Sequence, residues 1–312
     1  MEPAGMDERL RPGTAVGDFE VEDALGEGAF GQVYRARHRL IGKAAAIKVL
    51  ARKYSADPEV VSRFVAEAKA VNHIAHRNII DIFSFGELAD GRCYYVMEHL
   101  EGSPLDQLLD AQGCLSARQA LPILRGLGRA LDAAHAKGIV HRDLKPANVF
   151  VVPDEAGGVI PKLLDFGVAK LSTEGYGTTH RTRTGAPIGT PAYMAPEQCR
   201  GEAVDPRTDV YAFGVLAYRM FTGRLPFPGE SAVEVLMKHM TEVPPPPSAL
   251  QPELAELDGP ILTMLEKDPD RRPARVGAAY EVLEAVALSQ GWVTETLRSD
   301  AGTPTAVARP GP

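Results

Sequence analysis

The sequence predicts a bilobal α+β protein, with a small β-rich N-terminal lobe that contains one key helix and a larger, mainly helical C-terminal lobe. Three observations predict this. Apolar and polar residues alternate in several short stretches before residue 98, as in half-buried strands. Beyond residue 103 the apolar residues recur mainly at helical spacing. Residues 98–102 fit neither pattern. We therefore predict lobes over 17–98 and 103–290 joined by a hinge at 98–102, with a disordered lead-in over 1–16 and a disordered tail or linker over 291–312.

The composition is that of a soluble globular chain, because 45% of its 312 residues are hydrophobic and 24% are charged. A net charge of −7 disfavours binding to nucleic acid through its phosphates. Three widely spaced cysteines argue against a disulfide framework or a structural zinc site.

The N-terminus lacks the apolar run of a signal peptide, and the stretch Val210–Ala217 is far shorter than the ~20 residues of a membrane span. We expect a cytoplasmic chain with no membrane contact of its own. If the natural chain continues into a membrane span, we expect an inner-membrane anchor instead.

The first informative stretch is glycine-rich. A strand-like pattern from Phe19 leads into Gly26, Gly28 and Gly31, and the stretch Val33–His38 then alternates like a second strand. These letters also occur in a dinucleotide-binding turn, but that turn would require a helix here. Two strands joined by glycines form either a plain hairpin or a flap whose backbone N–H groups cover phosphates.

A buried cation and its counter-charge are predicted next. Lys48 is the only cation inside Ala44–Leu50, an apolar stretch that predicts a strand. Because lysine is rarely buried without a partner, a counter-charge is needed. Asp57 and Pro58 are typical of a helix start, and the following helix pattern carries Glu67 beside its apolar stripe. We predict a Lys48–Glu67 ion pair, although Glu67 also fits a solvated helix charge.

The lobe boundary follows a predicted strand pair, Ile79–Phe85 and Tyr94–Met97, which is joined by a turn at Gly91. Beyond Met97 the strand pattern breaks at Glu98. A segment that leaves a buried strand has free backbone groups, and these suit hydrogen bonding to the edge of an adenine ring.

The stretch His141–Asn148 combines an acid, Asp143, with a cation, Lys145, and an amide, Asn148. A base, a phosphate-neutralising lysine and a magnesium ligand are what the transfer of a γ-phosphoryl group to a hydroxyl requires. A capped helix from Ser116 to Gly138 is predicted to precede this loop. A hairpin of Val149–Val152 and Pro161–Leu164 is predicted to follow it and to end at Asp165, a second candidate metal ligand.

The C-terminal part is predicted to be helical. We predict a buried helix over Val210–Phe221 capped by Asp209, an extended connector at Pro244–Pro247, and helices over Glu253–Glu266 and Val276–Leu288. Residues 171–190, which precede these elements, contain few apolar residues and are expected to be mobile until something orders them.

Together these motifs resemble the eukaryotic-like protein kinases over about Asp18–Leu288, and in particular the catalytic domains of bacterial Ser/Thr kinases. The motifs stand in the family's order: the glycine loop, Ala45–Lys48, Glu67, His141–Asp143, Asp165–Gly167 and Ala195–Glu197. Ala45 departs slightly from the family pattern, which often has Val there. Lys145 and the stretch Gly189–Tyr193 resemble the Ser/Thr branch. The resemblance implies the protein-kinase fold and an enzyme that transfers the γ-phosphoryl group of ATP to protein hydroxyls.

The resemblance also implies a role for each site residue. The catalytic residues are Asp143, Lys145, Asn148, Asp165, Lys48 and Glu67, and the metal ligands are Asn148 and Asp165. The residues that bind ATP are Leu25, Gly26, Glu27, Gly28, Ala29, Phe30, Gly31, Val33, Ala46, Lys48, Met97, Glu98, Leu100, Asn148 and Asp165. The regulatory residues are Thr182 and Thr184 as phosphorylation sites, with Arg142 and Lys170 as their receptors, and the structural residues are Glu197, Arg272 and Asp209.

The expected cofactors are ATP and Mg²⁺, with Mn²⁺ as an alternative ion. The expected partners are proteins that carry Ser or Thr, and a second copy of the chain for autophosphorylation in trans. Two alternatives remain. A pseudokinase scaffold usually lacks a catalytic residue, and none is missing here. A small-molecule phosphotransferase generally lacks a segment like Ala195–Glu197.

Overall fold

The computed structural model describes residues 9–28, 30–166 and 191–293. Within these ranges, residues 15–98 contain a six-stranded antiparallel sheet in the order β1-β2-β3-β4-β6-β5. The strands are β1 (Ala15–Val16), β2 (Phe19–Gly28), β3 (Gly31–His38), β4 (Ala44–Leu50), β5 (Ile82–Glu87) and β6 (Cys93–Glu98). The helices α1 (Arg52–Ser55) and α2 (Pro58–Ile74) follow β4 in the chain.

The two faces of β4 pack against different parts of the apolar core. Ala45, Ile47 and Val49 pack in a cluster on one face of the sheet. Since side chains alternate along a strand, Lys48 shares the opposite face with Leu50, which belongs to the larger core that also contains apolar residues of α2. The alternation therefore directs Lys48 toward α2.

Helix α2 begins as predicted, with the Asp57 carboxylate accepting a hydrogen bond from Glu59 N at 3.0 Å and Pro58 in the first turn. Phe64, Ala68 and Val71 are buried against the sheet. Glu67 is buried on this same face. The helix therefore presents its one buried carboxylate to the face of β4 that carries Lys48.

The N-terminal lead-in predicted over 1–16 is wrong for its last residues. Ala15 and Val16 form β1, which pairs with Glu20 and Phe19 across the turn at Gly17. Gly17 has φ of 54°, a conformation that glycine adopts without strain. Val16 is only 1% exposed, so the burial of one side chain fixes a segment whose composition predicted disorder.

The strand predicted over Ile79–Phe85 begins later than expected, at Ile82. Ile79 instead forms an isolated parallel bridge with Leu163, and Ile80 N donates to Leu163 O at 2.9 Å. Because the backbone here pairs with Leu163, far along the chain, these two residues do not join the sheet. Residues 99–102, which follow β6, form neither strand nor helix. The division into lobes 17–98 and 103–290 at this hinge remains a proposal.

The C-terminal part is built from helices and one small sheet in the order β7-β8-β9. The strands of that sheet are β7 (Ser103–Pro104), β8 (Val149–Pro153) and β9 (Val159–Leu163). The helices are α3 (Leu105–Gln112), α4 (Ala117–His135), α5 (Pro196–Arg200), α6 (Pro206–Thr222), α7 (Ala232–Thr241), α8 (Asp258–Met264) and α9 (Val276–Ser289). None of the described helices is both long and apolar enough to cross a membrane.

Helix α6 lies at the centre of this part, as its apolar sequence predicted, and most of its residues are buried. The predicted cap is wrong. Asp205 caps the helix by accepting from Arg207 N at 2.7 Å, whereas Asp209 lies in the first turn and is fully buried. The pair Asp205 and Pro206 is the same start signal as Asp57 and Pro58.

Three other predicted boundaries also shift. Helix α4 ends at His135 and not at Gly138, because Ile139 N bonds back to Ala134 O at 3.0 Å. The helix predicted over Glu253–Glu266 is a 3₁₀ segment, Pro252–Leu257, followed by α8. Pro260 explains the break, since proline is tolerated in a first helical turn but not in an interior. Pro247, predicted to lie in an extended connector, begins a short 3₁₀ turn.

The start of the predicted C-terminal tail is also corrected. The backbone N of Trp292 bonds to Ala287 O at 2.9 Å, and Val293 is only 3% exposed in the core. Residues 291–293 are therefore part of the folded domain. The rest of the predicted tail, 294–312, and residues 1–8 of the lead-in lie outside the described residues.

Candidate active site

Lys48 lies between two carboxylates. Its Nζ is 2.9 Å from Asp165 Oδ1 and 3.4 Å from Glu67 Oε1, so the predicted ion pair with Glu67 is present. The Tyr95 hydroxyl, also buried, donates to Glu67 Oε1 at 3.2 Å. Lys48 and Glu67 are almost completely buried, whereas half of the Asp165 side chain is exposed. The ammonium group is therefore fixed from the α2 side, and Asp165 is the more exposed of its two partners.

Burial and charge act against each other in this cluster. Burial raises the pKa of Glu67 to about 7, although Lys48 and the Tyr95 hydroxyl oppose the shift. Burial alone would also raise the pKa of Asp165, but Lys48 outweighs it and holds that pKa below its usual value. Burial would lower the pKa of Lys48, yet the surrounding groups, Asp165 above all, raise it well above the ordinary value. Lys48 is therefore charged, and its principal counter-charge in this arrangement is Asp165.

Asp143, Lys145 and Asn148 lie on the predicted catalytic loop, His141–Asn148, and their side chains contact one another. Lys145 Nζ lies 2.8 Å from Asp143 Oδ2. The side-chain nitrogen of Asn148 donates to Asp143 O at 2.8 Å and to Asp143 Oδ2 at 3.1 Å. A 3₁₀ turn, Pro146–Asn148, brings the amide back toward the acid. These contacts hold the Asp143 carboxylate in one orientation before any substrate arrives.

Asp209 fixes the start of the same loop. Its carboxylate accepts from His141 N at 2.8 Å and from Arg142 N at 2.9 Å, and His135 Nε2 lies 2.7 Å from Oδ2. Arg142 has φ of 66°, a left-handed conformation that is unfavourable for a residue with a side chain. The two hydrogen bonds that Asp209 accepts therefore hold the backbone in a strained form directly before Asp143.

The glycine-rich residues that are predicted to bind ATP form a hairpin, in which Gly28 pairs with Gly31. A methyl group on Gly31 would lie 1.9 Å from Val49 O, so only glycine allows the hairpin to lie this close to β4. Leu25, Gly26 and Glu27 lie in β2 before this turn, and Phe30 packs against Tyr54 with ring centroids 5.6 Å apart. Ala29 lies outside the described residues.

The predicted adenine-contacting residues lie on neighbouring strands. Val33 is paired with Lys48, and Ala46 with Met97. The backbone N of Glu98 donates to Asp81 O at 2.9 Å. The Glu98 side chain is bound to Lys162 at 2.6 Å and accepts a hydrogen bond from Asp81 N at 2.9 Å. Leu100 follows in the segment between β6 and β7.

Asn148 and Asp165 fit a site for a divalent cation. The Asn148 side-chain nitrogen is used by Asp143, so its Oδ1 is the atom that can bind a cation. Asp165 supplies an ionised carboxylate, and Mg²⁺ is usually held by one or two carboxylates together with phosphates of the substrate. Within the described ranges no group of three or more His, Cys, Asp or Glu side chains could hold a metal.

Glu197 and Arg272, two of the predicted structural residues, form a buried ion pair with two N–O distances of 2.8 Å. The remaining guanidinium donors bond to the carbonyl oxygens of Glu266, Lys267 and Arg207. Burial alone would raise the pKa of the Glu197 carboxyl, but Arg272 overcomes it and holds the pKa below its ordinary value. The pair links α5 to the loop before α9.

Four supporting residues were not predicted from the sequence: Tyr95, His135, Thr208 and Gln198. The Thr208 hydroxyl donates to Glu197 at 2.8 Å, and the Gln198 amide donates to Arg142 O at 2.9 Å. Only Gln198, near the predicted Ala195–Glu197 motif, had a local signal. Three of the predicted regulatory residues, Thr182, Thr184 and Lys170, lie outside the described residues.

This arrangement of a small sheet with one long helix above a helical part is the fold of solved protein kinase domains. The crystal structure of the PknI kinase domain of Mycobacterium tuberculosis matches with a TM-score of 0.69 at 28% identity, covering 89% of this chain and 100% of that one. A second crystal structure of that domain gives the same TM-score and identity and covers 91% of this chain. The predicted fold class is confirmed.

The chain belongs to the protein kinase family, because the family model described as "Protein kinase domain" matches residues 19–286. Similar proteins include serine/threonine-protein kinase Pkn1 of Myxococcus xanthus, which is 44% identical over 279 residues covering 89% of this chain and 39% of that protein. Serine/threonine-protein kinase PknA of Mycobacterium tuberculosis is 40% identical over 278 residues, covering 88% of this chain and 62% of that protein. The chain thus spans roughly two fifths to three fifths of the length of these relatives.

Proposed function

We propose that this chain is a serine/threonine protein kinase that uses ATP and Mg²⁺ to phosphorylate protein hydroxyls. One observation carries the proposal: Lys48 is held between Glu67 and Asp165 at the centre of the candidate site. The Ser/Thr preference is supported by the names of the relatives, each of which is a serine/threonine-protein kinase. It is also supported by Lys145, which is bound to Asp143.

Binding of ATP would shift the partners of Lys48. The glycine hairpin would cover the phosphates, and Lys48 would move from Asp165 to the α- and β-phosphates while Glu67 remains its counter-charge. Asn148 Oδ1 and the released Asp165 carboxylate would hold Mg²⁺, which would neutralise charge on the phosphates. The partial exposure of Asp165 supports this exchange, since the carboxylate is open to an incoming cation.

Asp143 would orient the substrate hydroxyl and accept its proton late in the reaction. A carboxylate is a weak base, but a loose transition state makes late proton transfer acceptable. Lys145, already 2.8 Å from Asp143, would neutralise the transferring phosphoryl group. Most of the acceleration would therefore come from positioning and electrostatics.

Autophosphorylation in trans at Thr182 or Thr184 is part of the proposal, with Arg142 and Lys170 as receptors of the phosphate. The strained backbone of Arg142 beside Asp143 supports it, because a charge bound there would act directly on the catalytic loop. We further propose Mn²⁺ as an alternative ion, and the cytoplasm as the location of this domain.

The test is transfer of radioactive phosphate from γ-labelled ATP to a generic protein substrate by the wild type, Asp143→Asn and the exposed turn variant Asp18→Asn. We expect label with the wild type and Asp18→Asn and none with Asp143→Asn, while nucleotide binding persists in all three. Mass spectrometry of the wild type should find phosphate on Thr182 or Thr184. Nucleotide binding without any transfer would instead indicate a scaffold, and an active but unphosphorylated wild type would exclude the autophosphorylation step.

A further inference from the structure

A cavity of about 130 Å³ lies where the loop after α2 meets α4 and the β8–β9 hairpin. Its lining includes Arg77, Arg125, Arg129, Asp154 and Tyr280. None of the lining residues belongs to the candidate active site. The cavity is therefore a separate feature of the fold, and three of its twelve lining residues are arginines.

The charges around this cavity are not balanced. Arg125 is paired with Glu284 at 3.1 Å, and the Tyr280 hydroxyl donates to the same carboxylate oxygen at 2.8 Å. In the described part of the chain, no ion pair is found for Arg77 or Arg129. Among the described residues that line the cavity, Asp154 is the only acid, against these two arginines. The excess positive charge also acts on the neighbouring His76. Burial lowers the pKa of His76, and Arg129 and Arg77 lower it further.

The walls are held in place before any ligand arrives. Asn78, which follows Arg77, donates to Pro161 O at 2.9 Å and accepts from Leu163 N at 2.8 Å. Gly126 lets α4 approach this point, because a methyl group there would lie 2.3 Å from the Pro161 ring. Arg77 and Arg129, both exposed, therefore line the cavity from two elements that pack closely against the β8–β9 hairpin.

We propose that this cavity binds a phosphate dianion between Arg77 and Arg129, carried either by a phosphorylated side chain or by free inorganic phosphate. Guanidinium groups bind phosphate with two parallel hydrogen bonds, which makes arginine the usual residue for this ligand. At about 130 Å³ the cavity is smaller than the roughly 300–1,000 Å³ of pockets that bind drug-sized ligands, so a small anion suits it better than a nucleotide. A bound phosphate would connect the loop after α2 to α4. Helix α2 is the helix that carries Glu67.

The test is isothermal titration calorimetry at constant ionic strength with inorganic phosphate and with a short phosphothreonine peptide. The variants are Arg77→Gln and Arg129→Gln. Arg118→Gln is the matched control, because it is an exposed arginine on the same helix, α4, that does not line the cavity. Hydrogen exchange measured by mass spectrometry then locates the ligand, since binding should slow exchange over residues 75–80 and 154–160.

We expect at least one of the two ligands to bind the wild type and the control equally, and each cavity variant to weaken binding at least tenfold. Tighter binding of the peptide would identify a phosphorylated side chain as the source, and equal or tighter binding of inorganic phosphate would identify the free ion. The proposal is overturned if neither ligand binds, if the cavity variants bind as well as the control, or if exchange slows only elsewhere. The outcome is independent of the proposed kinase activity.

Discussion

At the scale of single residues, Arg272 shows how a buried charge is stabilised. All five of its N–H donors are used: two bond to Glu197 and three to backbone carbonyl oxygens. A buried charge that loses its partner is strongly destabilising, whereas an exposed pair contributes little. The Glu197–Arg272 pair is therefore the place where one substitution should change the stability of the domain most clearly.

We predict that Glu197→Gln lowers the free energy of unfolding at pH 7 by about 3–5 kcal/mol. The pKa of Glu197 is depressed below its ordinary value of 4.5, so its ionised form stabilises the folded state above that pH. This stabilisation is lost as the pH falls below 4.5. Urea unfolding of both proteins from about pH 7 to about pH 3.5 checks the prediction, and the difference between them should shrink toward the acid end. A difference that is constant with pH would show that the charge is not the cause.

Asp209 acts on the backbone of the catalytic loop and not through its own charge on a substrate. Asn at this position has one side-chain oxygen, so it can replace only part of the bonds to His141 N and Arg142 N. We predict that Asp209→Asn destabilises the domain by about 1–3 kcal/mol, the cost of an unsatisfied buried donor. It should also lower kcat more than it raises the KM for ATP. The exposed variant Asp18→Asn is the control in unfolding and kinetic measurements. An unchanged kcat in a destabilised variant would contradict the positioning role.

At the scale of secondary structure elements, the glycine hairpin depends on the absence of one side chain. A methyl group at Gly31 would overlap Val49 O, whereas one at Gly26 meets nothing within 4 Å. We predict that Gly31→Ala lowers the free energy of unfolding by about 1–3 kcal/mol and Gly26→Ala leaves it nearly unchanged, since overpacking is destabilising. Thermal unfolding of the two variants measures this. Equal effects would mean that general loss of backbone freedom, and not the contact with β4, governs the hairpin.

Elements with a strong local signal could be predicted from the sequence. The strand Ala44–Leu50 has the predicted bounds, and α2 begins at the predicted Asp57 cap. The same signal is present at Asp205 and Pro206, but the apolar pattern alone places the helix start at Asp209, the polar residue next to the apolar run. Strand β1 has two residues, too few for any pattern.

The candidate site was predictable where motifs name single residues, and less so where support comes from far along the chain. Lys48, Glu67 and the catalytic loop could be named because each stands in a characteristic local pattern. Tyr95 lies 28 residues from Glu67, and His135 lies 74 residues from Asp209. Such contacts depend on the packing of whole elements, so no spacing within the sequence indicates them.

At the scale of the whole molecule, one apolar core runs through both parts of the chain. It includes Leu50 of β4 and Val71 of α2, together with Leu131 and Phe213 of the helical part. Phe166, next to Asp165, belongs to it, and its ring lies 4.8 Å from that of His141. The two halves of the candidate site are therefore attached to a continuous core, which fixes Lys48 and Glu67 relative to the catalytic loop.

The measurement that tests the central claim most directly is a crystal structure with Mg²⁺ and a non-hydrolysable ATP analogue. We predict that Lys48 contacts the α- and β-phosphates, that Asn148 Oδ1 and Asp165 bind the metal, and that Asp143 and Lys145 face the γ-phosphate. A nucleotide bound elsewhere, or one that leaves the Lys48–Asp165 pair intact and the metal away from Asn148, would contradict the account.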